Sequence, residues 1–161
     1  MRILGIDPGI GRMGWGIVDK EGQKVTPVDF GCATTESTTD IATRLKEIHK
    51  CVADLIEKYK PTEFAIEELF FNTNAKTAFV VGQARGVILL AAGQNNLTPA
   101  IYTPLQVKIA LTGYGRAEKR QVGELVKSSL KLEKIPTPDD TADALAVALT
   151  HAFSVKQKRV L

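Results

Sequence analysis

Arg2-Ile3-Leu4-Gly5-Ile6-Asp7, then Pro8-Gly9, then Met13-Gly14-Trp15-Gly16-Ile17-Val18-Asp19 is the stretch that decides the fold. The first run is short, apolar and closed by an acid, which predicts a buried strand with a Pro-Gly turn after it. The second run predicts a second strand, Glu21-Gly22 marks the next turn, and Lys24 to Thr34 supplies a third strand. Three strands joined by brief turns make an antiparallel meander.

Beyond the meander the period changes. Ile41, Leu45, Ile48, Val52, Leu55, Ile56 and Tyr59 recur at three- and four-residue steps, the mark of an amphipathic helix. Ser37-x-x-Asp40 is the expected start and Lys60-Pro61 the stop. Glu63-Phe64-Ala65-Ile66-Glu67 predicts a fourth strand and Pro99 to Thr103 a fifth. Between them, Asn74 to Gln94 predicts a long helix, apolar over much of its surface around Gly82 and Gly86. Such a helix is either central to the core or half of a subunit interface. Helices over Pro104 to Thr112, Lys119 to Leu130 and Asp139 to about Ser154 complete a single α/β domain over residues 1–155 with a mixed sheet. The basic tail, 156–161, is expected to be solvated.

At 161 residues, 44% hydrophobic and 24% charged, the chain has the length and composition of one globular domain. No apolar run approaches the roughly 20 residues of a membrane span, and Asp7 comes too early for a signal peptide. The expectation is a cytoplasmic protein without a membrane anchor. Cys32 and Cys51 lack any C-x-x-C partner and are expected to be two buried thiols. His49 and His151 lie on predicted helices without a partner at metal-ligand spacing, so packing or surface roles are expected. The net charge is +3, divided unevenly: residues 1–80 hold 10 Lys/Arg against 12 Asp/Glu, and residues 81–161 hold 11 against 6. A basic half suits a polyanionic partner without identifying one.

Four acids stand where a core is expected. Asp7 ends the first strand and Glu67 the fourth; Asp140 and Asp143 share one face at the start of the last helix. In a meander followed by crossover helices the first and fourth strands commonly lie side by side, which would present Asp7 and Glu67 together. Clustered carboxylates repel and are costly to desolvate unless a cation compensates, and Mg²⁺ is the common choice for oxygen ligands. Four acids at an open cleft suit two ions about 4 Å apart, the clamp for in-line attack on a phosphodiester. Taken singly, Asp7 is as well explained as a turn residue and Asp139-Asp140 as helix capping. Asp143, inside the apolar Ala142…Ala144-Leu145-Ala146 run, resists that explanation. Gly5 to Gly11 could also be a phosphate loop of the actin-like ATPases, but those need two such domains, and no G-x-x-x-x-G-K-[ST] or G-x-G-x-x-G occurs.

With these residues in view, the sequence resembles the RuvC-type Holliday junction resolvases of the ribonuclease-H-like superfamily. The resemblance runs from Ile3 to about Phe153. Its carriers are Gly5-Ile6-Asp7-Pro8-Gly9 with Gly14-Trp15-Gly16, Ala65-Ile66-Glu67, Gly82-Gln83-Ala84-Arg85-Gly86-Val87, Ala117-Glu118-Lys119, and Asp140-Thr141-Ala142-Asp143-Ala144-Leu145-Ala146. It implies a ribonuclease-H-like five-stranded mixed sheet, three antiparallel strands first, flanked by helices on both faces. It further implies a homodimeric, Mg²⁺-dependent endonuclease of DNA recombination and repair, with two ions per subunit and Mn²⁺ as a substitute. Such an enzyme resolves four-way junctions by paired symmetric nicks, leaving 5′-phosphate and 3′-hydroxyl ends, and partners a RuvA- and RuvB-type branch-migration motor.

Asp7, Glu67, Asp140 and Asp143 match the family's metal-binding and catalytic acids, and Lys108 and Lys119 its two important lysines. Phe70 stands where the family places an aromatic near the junction point. Glu67-Glu68 and Asp139-Asp140 are doubled acids; strand alternation favours Glu67 over Glu68. From Lys108 to Lys134 seven basic residues face three acids, and Lys108, Arg116, Lys119 and Arg120 are the candidates for contacting DNA. Ala78, Gly82 and Gly86 form a small-x-x-x-small pattern that suits a symmetric dimer through that helix. Two rivals share this fold: a catalytically silent junction-binding module, and a ribonuclease-H-like RNA-processing nuclease.

Overall fold

The computed structural model describes residues 1–69 and 75–155. Five strands form one mixed sheet: β1 (Arg2–Asp7), β2 (Arg12–Glu21), β3 (Lys24–Thr34), β4 (Glu63–Glu67) and β5 (Pro99–Tyr102), in the order β3-β2-β1-β4-β5. The first three pair antiparallel, with Ile3 opposite Val18 and Asp7 opposite Gly14. β4 joins β1 in parallel, Ile6 beside Ile66, so the expected adjacency of the first and fourth strands is present. Pro27 lies inside β3 because β3 is an edge strand, with a register shift opposite it at Ile17/Val18.

Side-chain alternation along the strands builds two apolar layers. Leu4, Ile6, Ile17, Phe64 and Ile66 pack with α1 (Ile41–Tyr59) and α2 (Ala75–Gln94) on one face. Ile3, Val18 and Ala65 pack on the other with α3 (Pro104–Thr112), α4 (Lys119–Leu130) and α5 (Asp139–Ser154). The helix α5 is the centre of that second layer: Ala144, Leu145, Val147, Ala148, Leu149 and Ala152 are fully buried.

Several details depart from the sequence expectation. The α1 N-cap is Asp40 itself, accepting from the Thr43 amide at 3.0 Å; Ser37 does not open a capping box. A residue that caps alone needs no partner three positions back. Cys32 and Cys51 are half-buried rather than fully buried, Cys51 packed against the edge of the α1–α2 layer. His151 is buried, with Nε2 3.2 Å from Glu63 and Nδ1 2.8 Å from the Tyr102 hydroxyl, and His49 meets Gln94 at 2.8 Å, so both histidines have the packing and surface roles expected.

The long helix needs a correction of its own. By length and composition α2 is apolar enough to cross a membrane, yet most of it is not buried. The scattered Lys76, Gln83 and Arg85 hid this from a search for uninterrupted apolar residues. Ala84, Ile88, Ala91 and Ala92 are buried in the core and Val87 and Leu89 pack against it half-buried, while Phe79 and Leu90 are exposed. One stripe of α2 therefore belongs to the sheet layer and the remainder is an uncovered apolar face.

Candidate active site

The site is assembled at the C-terminal edge of β1 and β4. Parallel pairing sets Asp7 and Glu67 at the ends of neighbouring strands, each one residue beyond the Ile6–Ile66 pair. The start of α5 is laid against the same edge, and glycines make the approach possible. A Cβ on Gly14 would stand 1.8 Å from the Asp140 carbonyl oxygen, and one on Gly5 would stand 2.4 Å from that of Ala144. With no side chain at either position the helix settles directly on the backbone of β1 and β2, carrying Asp140 and Asp143 to Asp7.

Electrostatics report the result. Burial pushes the Asp7 carboxyl up to about 8, and the charges of Glu67, Asp143 and Asp140 push in the same direction against Lys119. Glu67 is pushed up to about 7 by burial and then by Asp143, with Lys119 and Lys108 opposing. Burial also raises Asp143, outweighing the hydrogen bond and charge it receives from Lys119. One group of mutually repelling acids is thus drawn from β1, β4 and α5. The doubled acids separate: Glu67 and Asp140 act on Asp7, whereas Glu68 and Asp139 are exposed and do not.

Cations border this group more closely than the sequence suggested. Lys119 Nζ, at the first turn of α4, lies 3.0 Å from Asp143 and 3.4 Å from Asp139. Arg12 Nε lies 3.3 Å from Asp140. Arg12 went unnoticed in the sequence because an exposed arginine opening a strand looks like solvated surface. Its place two residues before Gly14, on the strand beside Asp7, was the available signal.

A cleft of about 200 Å³ opens from the acids, lined by Glu67, Asp143, Lys108 and Lys119 over Val107, Val122 and Ala146. A second hollow of about 330 Å³ adjoins it at Lys119, Arg120, Asp139 and Asp143. Lys108 and Arg120 therefore line hollows beside the acids; Arg116 is exposed on the loop before α4. Phe70 lies outside the described residues. A roomier hollow of about 490 Å³, between Trp15, Tyr59 and α1, lies on the opposite face of the sheet and holds none of the four acids.

Among the described residues no three His, Cys, Asp or Glu side chains stand ready-placed around one ion. Asp140 and Asp143 are instead engaged by Arg12 and Lys119. The donor chemistry nonetheless fits a hard divalent cation. Only carboxylate oxygens converge, and two of the four acids hold their protons to about 8 and about 7, an excess of negative charge that such an ion relieves.

Comparison with known proteins bears on the same residues. The family model for crossover junction endodeoxyribonuclease RuvC matches residues 3–151. The chain belongs to that family. It is 54% identical over 152 residues to the crossover junction endodeoxyribonuclease RuvC of Brevibacillus brevis, covering 94% of this chain and 92% of the relative. The Rubrobacter xylanophilus protein of the same name is 55% identical over 152 residues, covering 94% of this chain and 85% of the relative. Among solved structures, Thermus thermophilus RuvC in complex with Holliday junction substrate superposes with a TM-score of 0.91 at 38% identity, covering 95% and 93% of the two chains. The chain is a RuvC-type nuclease of the ribonuclease-H-like fold, and the family's span takes in all four acids and both cleft lysines.

Proposed function

We propose that residues 1–155 form one structure-selective endonuclease domain that resolves four-way DNA junctions by paired symmetric nicks in recombination and repair. The observation that carries this reading is the convergence of Glu67, Asp140 and Asp143 on the half-buried Asp7, an excess of negative charge that a bound divalent cation would relieve. Asp7, Glu67, Asp140 and Asp143 would hold Mg²⁺, two ions per subunit, with Mn²⁺ as a substitute. Bound there, the ions supply Lewis-acid polarisation of the phosphodiester and activation of water, giving 5′-phosphate and 3′-hydroxyl ends.

The chain's own residues set the rest. Lys108 and Lys119 line the same cleft as Glu67 and Asp143 and would hold the phosphates flanking the cut. Arg116 and Arg120 extend this basic border, and Phe70 would meet the bases at the junction point. The uncovered apolar face of α2 would join two copies about a two-fold axis, aiming two sites at two strands of like polarity. A RuvA- and RuvB-type motor is the proposed partner, and the cytoplasm the proposed location.

Incubation with Mg²⁺ and, separately, a synthetic four-way junction, a linear duplex and an RNA–DNA hybrid tests this. Selective nicking of the junction is expected. Binding without nicking would favour the silent module, and preference for the hybrid the RNA-processing relative.

A further inference from the structure

Tyr114 is 57% exposed on the short connection between α3 and α4. Nothing in the core needs it there, and exposing an aromatic ring forgoes the burial that normally stabilises it. The loop beneath it is nonetheless fixed. Gly113 ends α3 in the left-handed region at φ 73°, its amide donating to Ile109. The Tyr114 amide donates to Thr112 Oγ1 at 3.0 Å, and that hydroxyl lies 2.7 Å from the Lys108 carbonyl and 3.0 Å from the Tyr114 carbonyl. The Ala117 amide donates to the Tyr114 carbonyl at 3.2 Å, closing the turn from the other side. At Gly115 a Cβ would meet Leu105 Cδ1 at 2.7 Å, so the backbone past the tyrosine is seated on α3. The backbone that carries the exposed ring is already ordered and has little freedom left to lose on contact, which favours binding.

The surroundings say what it would contact. Lys108 lies six residues before Tyr114 in sequence, Arg116 two residues after it and Lys119 five, with Glu118 the single acid from Pro104 to Lys119. Two of these cations line the cleft of the acids. Cations attract the phosphates of a strand, and an aromatic face among them accepts an unstacked base. We propose that Tyr114 is a nucleobase-stacking residue for the DNA strand entering the cleft, a second aromatic contact in addition to Phe70. The proposal rests on the junction-nuclease reading above.

The test uses the full chain in EDTA with four-way junctions carrying 5-iododeoxyuridine at single positions around the branch. Irradiation is expected to crosslink Tyr114, identified by mass spectrometry, at one or two of those positions. Tyr114→Ala should weaken junction binding about 10-fold, the loss expected for one stacked base. Tyr114→Trp should restore binding, and neither variant should shift Tm, because the ring is exposed. Parental affinity in Tyr114→Ala, or crosslinks that avoid Tyr114 at every position, would overturn the proposal. A parent that binds junctions without nicking them overturns the nuclease reading instead, and the crosslink still decides the role of Tyr114.

Discussion

Gly14 and the carbonyl of Asp140 are in such close register that a single methyl group at Gly14 would lie 1.8 Å from that oxygen. The obstruction would be backbone, not a flexible side-chain end, so the start of α5 would have to lift. Gly14→Ala is therefore expected to cost about 1–3 kcal/mol, as overpacking of a tight contact does. Junction cleavage should fall at least about 10-fold, since small displacements of reacting groups are costly. Gly93→Ala, inside α2 with open space around its position, should leave cleavage at the parental value and the melting temperature unchanged or slightly raised.

Without divalent ions, stability should fall as pH rises. Asp7 and Glu67 keep their protons in the folded chain to about 8 and about 7, while the unfolded chain releases them near ordinary carboxylate values. Between those limits the folded state binds more protons, so unfolding free energy decreases with pH. Tm measured in EDTA should be higher at pH 5 than at pH 8, and Mg²⁺ at pH 8 should raise it. Asp7→Asn should flatten the EDTA profile, abolish cleavage and leave junction binding intact or improved. Persistent Mg²⁺-dependent cleavage by this variant would refute the catalytic assignment.

Lys119 is tied to Asp143 at 3.0 Å yet remains largely exposed at the cleft border. Exposed ion pairs contribute little to stability, about 0–1 kcal/mol, so Lys119→Ala should fold and melt nearly as the parent does. Its turnover on the junction should drop by more than its affinity. Equal losses in the two would reassign Lys119 to simple phosphate anchoring.

Phe79, 70% exposed on α2, lies on the face assigned to the dimer. Phe79→Glu places a charge on that face without touching the core. In sedimentation at micromolar concentration the parent should be a dimer and the variant a monomer, with an unchanged circular dichroism spectrum. A monomeric parent would remove the interface.

Much of the fold was legible because local rules and tertiary packing agree. The short apolar runs closed by an acid in Arg2–Asp7 and Glu63–Glu67 and the steps of three and four in Ile41–Tyr59 fall within a residue or two of the observed elements. The disagreements lie where one signal served two purposes. Asp40 caps α1 alone although Ser37-x-x-Asp40 imitates a capping box. The apolar character of α2 is divided between a narrow core stripe and an open face, which periodicity does not reveal in a helix apolar nearly all round.

By itself the sequence determined the order of strands and helices, the acids at their ends and the family motifs, because each depends on residues close together in the chain. Only the tertiary structure decided which of the doubled acids act on Asp7, that Arg12 and Lys119 engage Asp140 and Asp143, and how near α5 comes to the sheet. These depend on distances between residues from 24 to more than 100 positions apart, brought together by parallel strand pairing, by helix packing and by how closely bare glycine backbone lets α5 approach two strands.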